Sequence, residues 1–190
     1  LLKEKNNMIK EKLKKIETGT VTKQDILENQ VSSIYLAIGS NLGDKRNNIE
    51  KAKFILSQNN IVIIKTSSFY ESPSWPNPKF PKFLNIVLKV NTNLKPLKLL
   101  HVCKDIETQL GRKKNLKNSP RVCDIDILDY NKKVMKNGLV LPHPRLHTRN
   151  FVILPLFEIS KDWFHPILKY SIKRLLSSLS NRDIRSIKQI

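Results

Sequence analysis

The sequence predicts an α+β sandwich, an antiparallel sheet with helices packed on it. Short β-branched runs alternate with stretches of helical spacing along the chain. Gly-, Pro- and Asn-containing breaks punctuate them, notably at 39–43, 73–81 and 137–138. The 190 residues are enough for one domain with a proper core plus an appendage.

Residues 1–17 carry helical spacing, with Ile9, Leu13 and Ile16 at i, i+4 and i+7. Thr18-Gly19-Thr20 is a stop, and Thr22 and Asp25 are start signals for a short second helix. This stretch holds little core material, so residues 1–30 read as an N-terminal helical extension or linker. The chain opens with Leu1 rather than Met, which reads either as a piece of a longer polypeptide or as an unusual start. The compact domain is expected over 31–180. Ile34–Ile38 is a strand, and Asp44 caps a helix over 45–57. A strand over 61–69 precedes a loop with Pro73, Pro76, Pro78 and Pro81. Phe83–Asn91 is a strand; Pro96 opens a helix to Leu110, and Gly111 ends it. A basic loop, 112–119, leads to a strand at 123–129. Asn137-Gly138 marks a turn, 148–159 a short helix, 167–179 a last helix, and 181–190 a basic tail. The resulting order, β-α-β-β-α-β and then helices, is the ferredoxin-like pattern.

The formal net charge is +19, which suits nucleic acid, a membrane surface or a polyanionic small molecule. Lysine predominates and Asn and Ile are abundant, so the excess also reads as a bias spread over the surface. No apolar run approaches the ~20 residues needed to span a bilayer, and the Lys- and Glu-rich start is no signal peptide. Cys103 and Cys123 alone indicate neither a disulfide framework nor a zinc site, so the default compartment is cytoplasmic.

The most informative segment is 119–128, Ser-Pro-Arg-Val-Cys-Asp-Ile-Asp-Ile-Leu. On a strand Asp124 and Asp126 share a face, roughly 6.5–7 Å apart. A hard divalent cation fits between two such carboxylates, and Mg²⁺ completes its shell with water and phosphate oxygens. Arg121 beside them suits phosphate. The alternative is a solvated or lysine-paired pair of strand-end aspartates. Arg112, His143, Arg145 and Arg149 flank the strand in sequence; His143 either meets a phosphate or caps a turn. Gly39–Gly43 follows a strand as phosphate loops do, but it has neither the Walker nor the GxGxxG spacing and reads rather as a tight turn. Glu107, alone on its helix, reads as solvent-facing. Phe83, Asn85, Phe151 and Trp75 offer stacking area and edge hydrogen bonds for a flat heterocycle. Trp75, in the Pro-rich loop, reads as a lid element, while Phe83 and Phe151 taken alone read rather as core.

Taken together, the segments resemble hydroxymethyldihydropterin pyrophosphokinase, over about residues 33–170. The resemblance rests on Ala37–Gly43, Ser67–Pro73, Phe83–Asn85 and Glu107 followed by Gly111-Arg112. It continues through Pro120-Arg121-x-x-Asp124-x-Asp126, Pro142–Arg145, Arg149–Phe151 and Leu154–Glu158. It implies ATP as co-substrate and diphosphate transfer to the hydroxymethyl group of a dihydropterin, in folate biosynthesis. By the same resemblance Asp124 and Asp126 hold two Mg²⁺ ions, and Arg112 and Arg121 follow the β- and γ-phosphates as catalytic groups. His143, Arg149 and Glu107 match the ATP site. Ser72, Pro73, Trp75, Phe83, Asn85 and Phe151 match the pterin pocket, and loops 70–82 and 112–120 match loops that close over substrates. The basic loop departs from the pattern: it reads one residue shorter, with Lys114 for an arginine and Asn118 for a tryptophan. Family domains are also fused to dihydroneopterin aldolase or dihydropteroate synthase, so association with other folate-pathway enzymes is implied. Two rivals remain. A nucleic-acid domain fits the charge but lacks an RNP-type aromatic pattern, and the Asp pair would repel phosphate. A degenerate pyrophosphokinase kept for assembly would not need intact metal and arginine positions.

Overall fold

The computed structural model describes residues 33–75, 77–112 and 119–190. The helices expected in residues 1–30, Pro76, and Lys113, Lys114, Lys117 and Asn118 of the basic loop therefore lie outside the described residues. The elements are β1 (Ile34–Ser40), α1 (Lys45–Gln58), β2 (Val62–Thr66), β3 (Tyr70–Ser72), β4 (Phe83–Asn91) and α2 (Pro96–Gln109). After them come β5 (Asp124–Tyr130), α3 (Asn150–Ile159), α4 (Ile172–Ser177), α5 (Asn181–Arg185) and β6 (Lys188–Gln189). All pairings are antiparallel, in the order β5-β1-β4-β3-β6, with β2 also on β4. The α+β sandwich expected from the sequence is the fold observed.

The two faces of the sheet differ because side chains alternate along each strand. One face presents Ile34, Leu36 and Ile38 of β1 with Ile86, Leu88 and Val90 of β4. These pack with Ile49, Ala52 and Leu56 of α1 and Leu99, Cys103 and Ile106 of α2. Each fully buried aliphatic side chain there contributes about 1.5–3 kcal/mol. The other face presents Tyr35, Val87 and Leu128, covered by Val152, Ile153 and Leu156 of α3 and by α4. On that second face Asp126, opposite Ala37, and Asp124, opposite Gly39, are only half-buried.

The caps behave as their chemistry requires. The Asp44 carboxylate accepts the Asn47 backbone N–H at 3.1 Å, and Pro96 sits in the first turn of α2. Gly111 takes φ +97°, a left-handed conformation that ends α2 without Cβ strain. Three expectations need revision. The strand expected over 61–69 is shorter, Val62–Thr66, and ends where the Ser67 hydroxyl, in place of a backbone carbonyl, accepts the Val87 N–H at 2.9 Å; β3 then starts at Tyr70, where the Pro-rich loop was expected. The last helix is confined to Ile172–Ser177, with Ser171 capping it through the Arg174 N–H. Residues 181–190 carry α5 and β6.

Beside α4, His165 is buried and its ring packs edge-on against Trp163 and His147. Its Nδ1 accepts the backbone N–H groups of Ile167 and Leu168 at 3.2 and 3.1 Å, which leaves no room there for a proton. Burial, with His147 and Lys132 nearby, lowers its pKa from 6.5 to about 4. The unfolded chain therefore binds more protons between those two values, and stability falls as pH drops through them. Thermal melts across that window should show a falling Tm that His165→Gln makes shallower. An unchanged slope would reject this account.

Candidate active site

β5 delivers Asp124 and Asp126 to the open part of the second face, two residues apart. Asp124 Oδ1 receives Arg112 Nη1 at 2.8 Å and Arg121 Nη1 at 3.1 Å. Asp126 Oδ2 receives Arg149 Nη1 at 3.1 Å, with His143 Nε2 at 3.6 Å. Each carboxylate thus has one oxygen held by cations. Among the described residues, the other oxygen of each has no hydrogen-bond partner. Burial works to raise the Asp124 pKa, but Arg121, Arg112 and Lys104 outweigh it and hold the carboxyl below the usual aspartate range. Arg112 moves the opposite way: burial opposes its charge, yet Asp124 and Glu107 raise its pKa. Burial lowers the His143 pKa against the pull of Asp126, with Arg149 and Arg145 adding to the fall. Its Nδ1 accepts the Arg145 N–H at 3.2 Å, so the neutral ring carries its proton on Nε2, toward Asp126.

Glu107 is not solvent-facing, as a lone glutamate was expected to be. It is 1% exposed, and its Oε1 accepts the Ile125 N–H at 2.7 Å. It also pairs with Arg112 and with Lys104, the latter at 2.9 Å. The signal was present in the sequence: Glu107 follows Cys103 by four positions, on the apolar stripe of α2. It lies behind Arg112 rather than in the cavity wall.

A cavity of about 990 Å³ opens beside the carboxylates. Asp124, Asp126, Arg112, Arg121 and Arg149 line one part of it; Ser72, Pro73, Trp75, Phe83, Asn85 and Phe151 also line it. Of the residues singled out from sequence, Glu107 and His143 stand outside its wall, each touching a residue within it. Asn85 is buried and donates to Ser72 Oγ at 2.9 Å and to the Tyr70 carbonyl at 3.3 Å. Gly39 lies between Asp124 and Asn85 in register. A Cβ there would meet Asn85 Oδ1 at 3.0 Å and the Phe83 ring at 3.3 Å, so only glycine lets the two lean across β1.

Asn41 escaped the sequence reading. It is buried; its Nδ2 donates to Ser74 Oγ and the Pro81 carbonyl, both at 3.1 Å, and its Oδ1 accepts the Arg121 N–H at 2.8 Å. One amide so ties the Pro-rich loop to Arg121. The Gly39–Gly43 segment serves as that strut, and the turn reading stands. Lys104, Thr148, Asn150, Arg182 and Asp183 also line the cavity and were not singled out. Cys103 and Cys123 are buried free thiols, both pushed up to about 12 by burial.

The family model for 7,8-dihydro-6-hydroxymethylpterin-pyrophosphokinase matches residues 35–161. The chain belongs to this family. A 2-amino-4-hydroxy-6-hydroxymethyldihydropteridine pyrophosphokinase of Aquifex aeolicus is 41% identical over 144 residues, covering 75% of this chain and 89% of that protein. The folic acid synthesis protein fol1 of Pneumocystis carinii is 37% identical over 163 residues, covering 84% of this chain. The chain spans only 22% of the length of that relative, and 22% of the Dictyostelium discoideum folic acid synthesis protein. Among solved structures, a Plasmodium falciparum HPPK-DHPS has a TM-score of 0.68 at 17% identity, covering 87% of this chain and 46% of that one. That likeness concerns the pyrophosphokinase fold. No helix among the described residues is long and apolar enough to cross a membrane.

Proposed function

We propose that this chain transfers the terminal diphosphate of ATP to the hydroxymethyl oxygen of 6-hydroxymethyl-7,8-dihydropterin, releasing AMP and the pterin diphosphate. One observation carries the reading: two carboxylates ringed by Arg112, Arg121, Arg149 and His143 share a cavity with Phe83, Asn85 and Phe151. The donor set fits Mg²⁺. No group of three or more potential metal ligands occurs among the described residues, so the protein offers a pair of carboxylates rather than a cage. Mg²⁺ suits such a pair, because its remaining positions go to water and phosphate oxygens. Asp124 and Asp126 would hold two ions, which neutralise the triphosphate and polarise the phosphoryl oxygens.

The chain's own side chains account for the rest. Arg112, Arg121 and Arg149 already face carboxylates, and a triphosphate offers the same fork-shaped partner with more charge. They would exchange aspartate oxygens for phosphate oxygens as substrate enters. Glu107 keeps Arg112 aimed during that exchange, and His143 donates through Nε2. Asn85 reads the edge of the pterin ring through its amide, Ser72 and Pro73 close that edge, and Phe83 and Phe151 supply stacking area. Trp75, 68% exposed, would move over the ring and exclude water, a competing acceptor for the diphosphate. A cytosolic location and fusion or association with other folate-pathway enzymes complete the reading; the Plasmodium falciparum HPPK-DHPS supports the second.

The test is nucleotide product. With ATP, Mg²⁺ and the dihydropterin, AMP should form in equal amount to pterin diphosphate. ADP instead would make the site an ordinary phosphoryl kinase. Failure to bind either substrate would overturn the proposal.

A further inference from the structure

The segment Ser180–Ile190 lies beyond residues 35–161, which the family model matches. It returns to the cavity. Ser180 caps α5 by accepting the Asp183 N–H at 3.0 Å, and its hydroxyl donates to Asp183 Oδ2 at 2.7 Å. Asn150 Nδ2, at the start of α3, donates to the Asp183 carbonyl at 2.8 Å and to Ser186 Oγ at 3.1 Å. β6 then pairs with β3, placing Gln189 opposite Tyr70 and Lys188 opposite Glu71. Ile190 N–H donates to the Phe69 carbonyl at 2.9 Å, and Gln189 Nε2 to Ser68 Oγ at 3.0 Å. Ser180, Arg182, Asp183 and Ser186 line the same cavity as Trp75 and Phe151.

Two elements are gripped, and both carry the heterocycle end of the cavity. Asn150 immediately precedes Phe151, whose N–H the Asn150 Oδ1 accepts at 2.8 Å. β3 ends at Ser72, the partner of Asn85. β3 has only three residues and would otherwise be the edge of the sheet, where a strand so short holds its position poorly. We propose that Ser180–Ile190 is a working part of the pterin site, a strap that fixes the separation between Phe151 and the Ser72–Pro73 edge, with Asn150 as its positioning residue. The inference rests on the pterin reading of the cavity. The nucleotide end depends less on the strap, because Arg112, Arg121 and Asp124 are held by α2, Asn41 and β5.

Asn150→Asp isolates the effect. It keeps the oxygen that accepts the Phe151 N–H and suits a helix N-terminus, but removes the donor that reaches α5. A second variant ends at Leu179. Each would be titrated with 6-hydroxymethylpterin in the presence of Mg²⁺ and a non-hydrolysable ATP analogue, and separately with the analogue alone. The pterin Kd should rise about tenfold in Asn150→Asp, the scale set by losing its two hydrogen bonds to the segment, and at least as much in the shorter variant, with the analogue Kd changed less than about twofold in both. A merely structural strap would lower Tm and leave that ratio alone. Unchanged pterin affinity in folded Asn150→Asp, or equal loss for both ligands, overturns the inference. A wild-type chain that binds the analogue but no pterin overturns the functional reading instead, and the strap's role with it.

Discussion

Asp124→Asn and Asp126→Asn should each lower diphosphate transfer by a factor on the order of 10³ or more, because several kcal/mol of charge stabilisation at the phosphates would go with the metal. The change is isosteric, so the fold should survive it. Arg112 keeps Glu107 when Asp124 is neutral, and both Arg112 and Arg121 are partly exposed, at 30% and 21%. Their loss of a partner is eased by water, and stability should change by no more than about 1 kcal/mol. The ATP Kd without metal should move little or tighten, since each variant releases arginines that the carboxylate had engaged. That combination, rate lost while metal-free nucleotide binding is kept, separates a metal ligand from a strand-end aspartate that merely satisfies its neighbours. Turnover within about tenfold of wild type would reject the metal assignment. The acid limb follows from the sign of the Asp124 shift. Its folded pKa lies below the unfolded value of about 3.9, so its contribution to stability is complete above that value. It is lost only as pH falls further, through the folded pKa. Asp124 therefore stays ionised wherever ATP carries its full charge, and loss of activity in milder acid must be traced to another group.

Much of this was open to sequence reasoning, for a physical reason. Asp124 and Asp126 alternate with Ile125 and Ile127, and strict alternation fixes which side chains face the core and which the site. The same logic put Phe83 and Asn85 together on one face of β4. Contacts between elements far apart in sequence were not legible. Asn41 looked like a turn residue because its partners lie 33, 40 and 80 positions away. Residues 181–190 looked like a tail because they are polar and basic, and a two-residue strand leaves no periodic signal. The expected strand over 61–69 was β-branched throughout its first half. It breaks at Ser67 because a serine hydroxyl can replace a backbone carbonyl as ladder acceptor. Glu107 was misjudged by type alone, since a glutamate on an apolar stripe is rare unless paired.

That pairing gives Glu107 the largest expected effect on stability. Glu107→Ala should cost about 3–5 kcal/mol in denaturant unfolding, the range for breaking a buried ion pair by removing one partner. Three groups lose their acceptor at once. The Ile125 N–H is buried at the end of β5 with no water to turn to, Arg112 keeps only Asp124, and Lys104 turns outward into solvent at little cost. Glu107→Gln should cost markedly less, because its carbonyl oxygen can still accept the Ile125 N–H. The two variants therefore divide the structural from the electrostatic part of the residue's role. In Glu107→Gln the fold is kept but Arg112 loses one of the two anions that raise its pKa and aim its guanidinium. ATP affinity should fall several-fold while pterin affinity holds, since Asn85 and Ser72 do not depend on α2. If instead Glu107→Ala unfolds within about 1 kcal/mol of wild type, the buried carboxylate is no anchor. The guanidinium of Arg112 would then be positioned by Asp124 alone, and the metal pair would have to hold a phosphate-binding arginine in place as well as the ions.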